Sequence, residues 1–295
     1  MLTLEKKFVV LPNGESLAYV EKGEGDQAIL LIHGNMSSSL HFLPLIERLS
    51  PHLRVIALDL RGFGDSSYEQ PFDTLEELAA DTVAFIRALK LSKVHLAGWS
   101  AGGGVAMRIA ADHPQLVEKL VLINSMSFRG LQVFQKDEKG QMILGKVYGD
   151  KAALGLDPVQ VFPAVKALQD NNRAFMDWIW NLVIYTGKKP SPEENQLYLT
   201  ETMKQRCLVD LDWAICNFNM GDRHNLYKEG DRSVERIQAP VLSVWGKKDI
   251  TVLEFMFNET VAALKAKPIV YEESGHSPVV DVPDQLAKDI LKFLK

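Results

Sequence analysis

One alternation constrains this chain more than any other feature. Short apolar runs recur at intervals, and stretches of helical periodicity separate them. Ala28-Ile29-Leu30-Leu31-Ile32 is wholly apolar, as expected of a strand buried on both faces. Val55-Ile56-Ala57-Leu58, Val94-His95-Leu96-Ala97 and Leu120-Val121-Leu122-Ile123 repeat it. Helical stretches at about 41–50, 75–90 and 101–113 lie between them. Buried strands alternating with amphipathic helices imply a parallel sheet with right-handed crossovers and helices on both faces. Ahead of this, Phe8-Val9-Val10-Leu11 and Leu17-Ala18-Tyr19-Val20 flank the turn signal Pro12-Asn13-Gly14-Glu15 and read as an antiparallel hairpin.

The pattern breaks at about 126. Up to 236 no buried strand run occurs. The sequence reads as helical or irregular and is rich in aromatics, among them Trp178, Trp180, Tyr185 and Tyr198. Strand character resumes at Ala239-Pro240-Val241-Leu242-Ser243-Val244-Trp245-Gly246 and again at Pro268-Ile269-Val270-Tyr271-Glu272. A helix over 284–294 closes the chain. The expected organisation is a core of 1–125 and 237–295 interrupted by a helical insertion, 126–236.

One turn carries chemistry. Gly98-Trp99-Ser100-Ala101-Gly102 sits between an apolar strand and a small-residue helix. Gly-x-Ser-x-Gly in that context is a nucleophile elbow, a sharp turn that lifts the serine hydroxyl above the sheet. A serine needs a neighbouring base. His276, in the loop after the last strand, is the candidate. Six other histidines lie in strands, helices or the insertion. Asp249, after the strand 241–245, suits the carboxylate that orients the base. Asp59 and Asp65 belong to a turn, and Asn124 is uncharged. The order Ser100, Asp249, His276 places each group at the carboxyl end of a strand, where open parallel sheets form their crevice. An oxyanion needs amide donors. The Ala101 N–H is one. The other is assigned to Asn35 in His33-Gly34-Asn35-Met36-Ser37-Ser38-Ser39, with Met36 as the alternative.

Together these motifs resemble the α/β-hydrolase family over 15–125 and 237–295. The resemblance implies a mostly parallel eight-stranded sheet with a lid inserted between strands six and seven. Relatives with an aspartate nucleophile are set aside by Ser100, and the lipase-type His-Gly-Gly-Gly loop is replaced by His33-Gly34-Asn35-Met36. Three segments are similar to intracellular short-chain polyhydroxybutyrate depolymerases: His33 to Ser38, Asp59-Leu60-Arg61-Gly62-Phe63-Gly64-Asp65-Ser66-Ser67-Tyr68, and Gly98-Trp99-Ser100. Trp180-Asn181-Leu182-Val183-Ile184-Tyr185-Thr186 is similar to the same enzymes, which lie close to enol-lactonases and esterases. The expected activity is hydrolysis of carboxylic esters through an acyl-enzyme. The substrate is a small-molecule or oligomeric ester such as a short hydroxyacyl ester. Met36, Trp99, Trp178 and Tyr185 are the expected substrate-side residues. An acylhomoserine or enol-lactonase, or a carbon–carbon bond hydrolase, would use the same triad. A ligand receptor can keep the same fold.

The formal net charge of −5, with no basic block, argues against nucleic acid or an anionic membrane surface as partner. Cys207 and Cys216 form no CxxC pair and lie beside no histidine cluster, so no metal is expected. The proposed chemistry requires no cofactor. The start, Met1-Leu2-Thr3-Leu4-Glu5-Lys6-Lys7, has no long apolar core, and no run is long enough to span a bilayer. The simplest expected compartment is the reducing cytoplasm.

Overall fold

A computed structural model describes residues 3–295. Met1 and Leu2, with which the expected core segment begins, lie outside the described residues. The hairpin forms from β1 (Lys7–Val10) and β2 (Ser16–Lys22). β3 (Ala28–Ile32), α1 (Leu43–Leu49), β4 (Arg54–Leu58), α2 (Leu75–Ala88), β5 (Val94–Trp99), α3 (Ala101–Asp112) and β6 (Val117–Ile123) follow. Then come β7 (Phe134–Lys136), β8 (Met142–Val147), α4 (Lys151–Gly155), α5 (Phe162–Gln169), α6 (Arg173–Ile179), α7 (Pro192–Thr202) and α8 (Leu208–Cys216). β9 (Val241–Gly246), α9 (Glu254–Leu264), β10 (Lys267–Tyr271), α10 (Pro278–Asp281) and α11 (Pro283–Leu294) complete the chain.

Eight strands form one sheet in the order β1-β2-β4-β3-β5-β6-β9-β10. β1 and β2 pair antiparallel, β2 pairs antiparallel with β4, and every other neighbouring pair is parallel. Period-two alternation sends successive side chains to opposite faces. Leu30, Ile32, Leu96, Leu120 and Leu122 join one apolar cluster, with α2 and α3 packed over it. Ile29, Leu31, Ala97, Val121 and Ile123 join the other, with α1 and α11. On α11 the inward stripe is Leu286, Ala287, Ile290 and Leu294, the spacing of an amphipathic helix. Helices therefore cover both faces, as the alternation predicts.

The segment between β6 and β9 departs from the expectation of helices and irregular chain alone. β7 and β8 form a two-stranded antiparallel hairpin. Its strands are half-buried or exposed, so no apolar run marks them. The turn is made locally: Asp137 Oδ1 accepts from the Lys139 and Gln141 amides. α9 has no counterpart in the sequence reading. Among the described residues no helix is long and apolar enough to cross a membrane. Cys207 and Cys216 are free and buried.

Candidate active site

β5 delivers Ser100 and α3 carries the chain away. Ser100 takes φ 54° and ψ −121° and stays half-buried. Its N–H bonds Ile123 O at 3.1 Å, which ties the turn to β6. A Cβ on Gly102 would stand 2.1 Å from Ile32 O, so the helix can meet the end of β3 only with glycine there. The Ala101 N–H is the first of the helix, among the four without an intrahelical acceptor, and lies at the positive end of the dipole.

Asp249 lies in the turn after β9. Its Oδ1 accepts from the amides of Thr251 (2.7 Å) and Val252 (3.0 Å). Its Oδ2 accepts from Asn124 Nδ2 (2.6 Å) and lies 2.8 Å from His276 Nδ1. Both Asp249 and His276 are buried. Burial alone would push the Asp249 carboxyl up. The charge of His276, its hydrogen bond and those from Asn124 and Val252 outweigh burial and hold the carboxyl below its ordinary range. A carboxylate on Nδ1 leaves His276 Nε2 as the ring atom free to accept a proton.

Trp99 joins the two halves. It precedes Ser100 in the chain, and its indole N–H donates to His276 O at 2.8 Å. The rings of Trp99 and His276 lie 5.9 Å apart. Asn124 adds a second tie by donating to Gly275 O at 3.0 Å. The sequence reading set Asn124 aside because it carries no charge. The structure places it as a donor to both Asp249 and the histidine loop.

The loop after β3 lies directly over the serine. A Cβ on Gly34 would stand 2.8 Å from Ser100 Cβ. Gly34 O lies 2.8 Å from His33 Nδ1 and accepts from Ser37 Oγ at 2.9 Å. In a trans peptide the next N–H, that of Asn35, points the opposite way. Among the described residues no protein group accepts from it. The Met36 N–H is taken by Asn35 Oδ1 (2.9 Å) and Gln205 Oε1 (3.0 Å), which leaves Asn35 as the open donor of the two.

The expected substrate-side residues separate. Met36 is half-buried against Met176 and Leu199. Trp99 and Tyr185 are buried, with Trp180 between them at 6.3 and 5.3 Å. Trp178 does not join this group. It is 56% exposed, and its ring lies against Phe175. Met176 and Trp180, four residues apart, face inward, and position 178 falls on the opposite side of that turn.

Asp59, Asp65 and Glu201 bring carboxylate oxygens within 4.8 Å of one another. Lys6 forms salt bridges to all three and Lys204 to Asp65 and Glu201, so two ammonium groups already occupy the cluster and offset most of its charge.

The sequence pattern of the α/β hydrolase fold family matches residues 27–283. This chain belongs to the α/β hydrolase fold family. Among curated relatives of this α/β hydrolase, the human protein Serine hydrolase BPHL is 36% identical over 155 residues, 48% of this chain and 53% of that protein. The match thus spans about half of that relative's length. Among solved structures, an esterase from Exiguobacterium antarcticum superposes with a TM-score of 0.74 at 21% identity, covering 98% of this chain and 99% of that one. The enol-lactonase from Burkholderia xenovorans gives 0.70 at 19%, covering 98% and 99%. At these identities the two structures show a shared fold.

Proposed function

We propose that this chain is a serine hydrolase that cleaves carboxylic esters through an acyl-enzyme. The observation that carries the reading is the His276–Asp249 pair, tied through the Trp99 indole to the elbow that presents Ser100. Ser100 Oγ attacks the ester carbonyl while His276 Nε2 takes its proton. Asp249 holds the imidazole through Nδ1 and stabilises the imidazolium. The amides of Asn35 and Ala101 receive the oxyanion. His276 then protonates the leaving alcohol and activates water for deacylation. No step calls on a metal or an organic cofactor.

Segment 126–236 is the proposed cap. Buried rings of Trp180, Tyr185 and Tyr198 lie in the same apolar cluster as Trp99, which supports an apolar-walled acyl pocket for short esters, hydroxyacyl esters included. A covalent phosphonate probe tests the mechanism. One adduct is expected, on Ser100, and Ser100→Ala should lose turnover of p-nitrophenyl butyrate on the order of a thousandfold or more. An adduct elsewhere, or an unlabelled but folded protein, would overturn the assignment. Linear ester, lactone and hydroxybutyrate oligomer, compared at equal concentration, rank the substrates by kcat/KM.

A further inference from the structure

The loop that carries Asn35 is not held by the sheet alone. Met36 sits at φ 53°, a left-handed conformation that costs a non-glycine residue about 1 kcal/mol or more. Such a residue persists only where its surroundings over-determine it. Here the surroundings belong to the segment between β6 and β9. Thr202 Oγ1, at the end of α7, donates to Met36 O at 2.6 Å. Gln205 Oε1 accepts from the Met36 N–H at 3.0 Å, and Gln205 Nε2 donates to Asn35 Oδ1 at 2.8 Å. Asp212 Oδ1, on α8, accepts from Asn35 Nδ2 at 2.9 Å. Gln205 is buried, and its amide meets an acceptor and a donor at once. Glutamate could supply only half of that pair, and methionine neither.

The Gly34–Asn35 peptide is therefore gripped from two sides. His33 and Ser37 hold its carbonyl from the core, and Gln205 and Asp212 hold the Asn35 side chain from the other segment. We propose that Gln205, with Thr202 and Asp212, positions the oxyanion loop, so that the donor for the developing negative charge is assembled by the same segment that caps the site. The proposal rests on the reading of the Asn35 amide as an oxyanion donor. These are positioning residues: they act through Asn35 and Met36.

A misaimed donor costs transition-state stabilisation and leaves ground-state binding largely intact. The experiment is steady-state hydrolysis of p-nitrophenyl butyrate, with phosphonate labelling of Ser100 in parallel. In Gln205→Met, kcat should fall about 10- to 100-fold with KM changed less than about threefold, a fraction of what removing an oxyanion donor costs. Labelling should slow in step, because the phosphoryl oxygen occupies the same position. Gln205→Glu should fall between Gln205→Met and the parent. Asp212→Leu should also lose turnover, and Asp212→Asn, which keeps an acceptor for Asn35 Nδ2, should recover most of it. The Asp212 pair carries the test if Gln205→Met does not fold. Thermal unfolding of Asp212→Leu and Asp212→Asn at the assay pH separates a kinetic loss from a loss of the fold, since Leu leaves Asn35 Nδ2 without its acceptor. Turnover of Gln205→Met and Asp212→Leu within twofold of the parent, or a change in KM alone, would overturn the positioning role and leave the ester-hydrolase reading standing. A parent protein that is neither active nor labelled would instead sink that reading, and this proposal with it.

Discussion

Asp249 and Asp212 are two carboxyl groups whose surroundings drive them apart. Burial raises both. At Asp249 a partner ring and several donors reverse the effect. At Asp212 burial prevails, the charge of Asp157 adds to it, the single Asn35 bond opposes it, and the group is pushed up from 3.8 to about 7. Folded chains then bind a proton at Asp212 that unfolded chains have already lost. Stability therefore falls as pH rises through the window between those two values. Asp212→Asn has no such penalty. Its melting temperature should exceed the parent's at pH 8, and the gap should narrow at pH 4.5. Thermal unfolding at the two pH values checks this, and equal gaps would refute it. Asp249, held low, acts in the opposite sense: its contribution is intact near neutrality and is lost only in acid.

At the scale of elements, the elbow shows packing overruling propensity. Alanine is a better helix former than glycine by roughly 1 kcal/mol. At position 102 that gain cannot be realised, because the new methyl group would meet the backbone of β3, which cannot step aside. Gly102→Ala should lower the unfolding free energy by on the order of 2 kcal/mol, the usual cost of overpacking. Urea unfolding measures it, and an unchanged or raised midpoint would show that the strand yields. Most elements were legible for a simple reason. Strands buried on both faces are apolar throughout, and helices on their flanks carry one apolar stripe. Where exposed residues blur that code, elements went unread. In and just before α9, Ile250, Leu253 and Phe255 are exposed hydrophobics that obscure the inward positions Met256 and Phe257. The hairpin β7–β8 presents little buried surface at all.

Across the whole molecule, Lys6 joins three parts of the chain. Its ammonium bridges Asp59 and Asp65 beside the sheet and Glu201 on α7, and Lys204 closes the ring at 2.8 Å from Asp65 and 2.6 Å from Glu201. The side chains of Asp59 and Glu201 are almost fully buried. Removing one partner of a buried ion pair leaves its charge uncompensated, at about 3 kcal/mol or more. Lys6→Met should therefore be destabilised by about that amount at pH 7. The deficit should shrink as pH falls and carboxylates protonate, since in the parent the ammonium of Lys6 helps to hold Asp59 below its ordinary range against burial. Chemical denaturation at pH 7 and pH 4 checks both statements. A variant as stable as the parent at pH 7 would show the ring to be superfluous.

Chain order and local periodicity were enough to read the alternating sheet and the turn at Ser100, and to single out Asp249 and His276, which the structure pairs at 2.8 Å. Each of those signals is a pattern within a few residues, or a position at the end of a strand. Tertiary structure alone decided the rest. Asn124 reaches Asp249 across 125 positions, Trp99 reaches His276 across 177, and Gln205 reaches Asn35 across 170. Trp178 was turned outward by the one face its helical turn could bury. A single hydrogen bond between distant residues leaves no periodic trace in a sequence, because nothing local depends on it until the chain has folded.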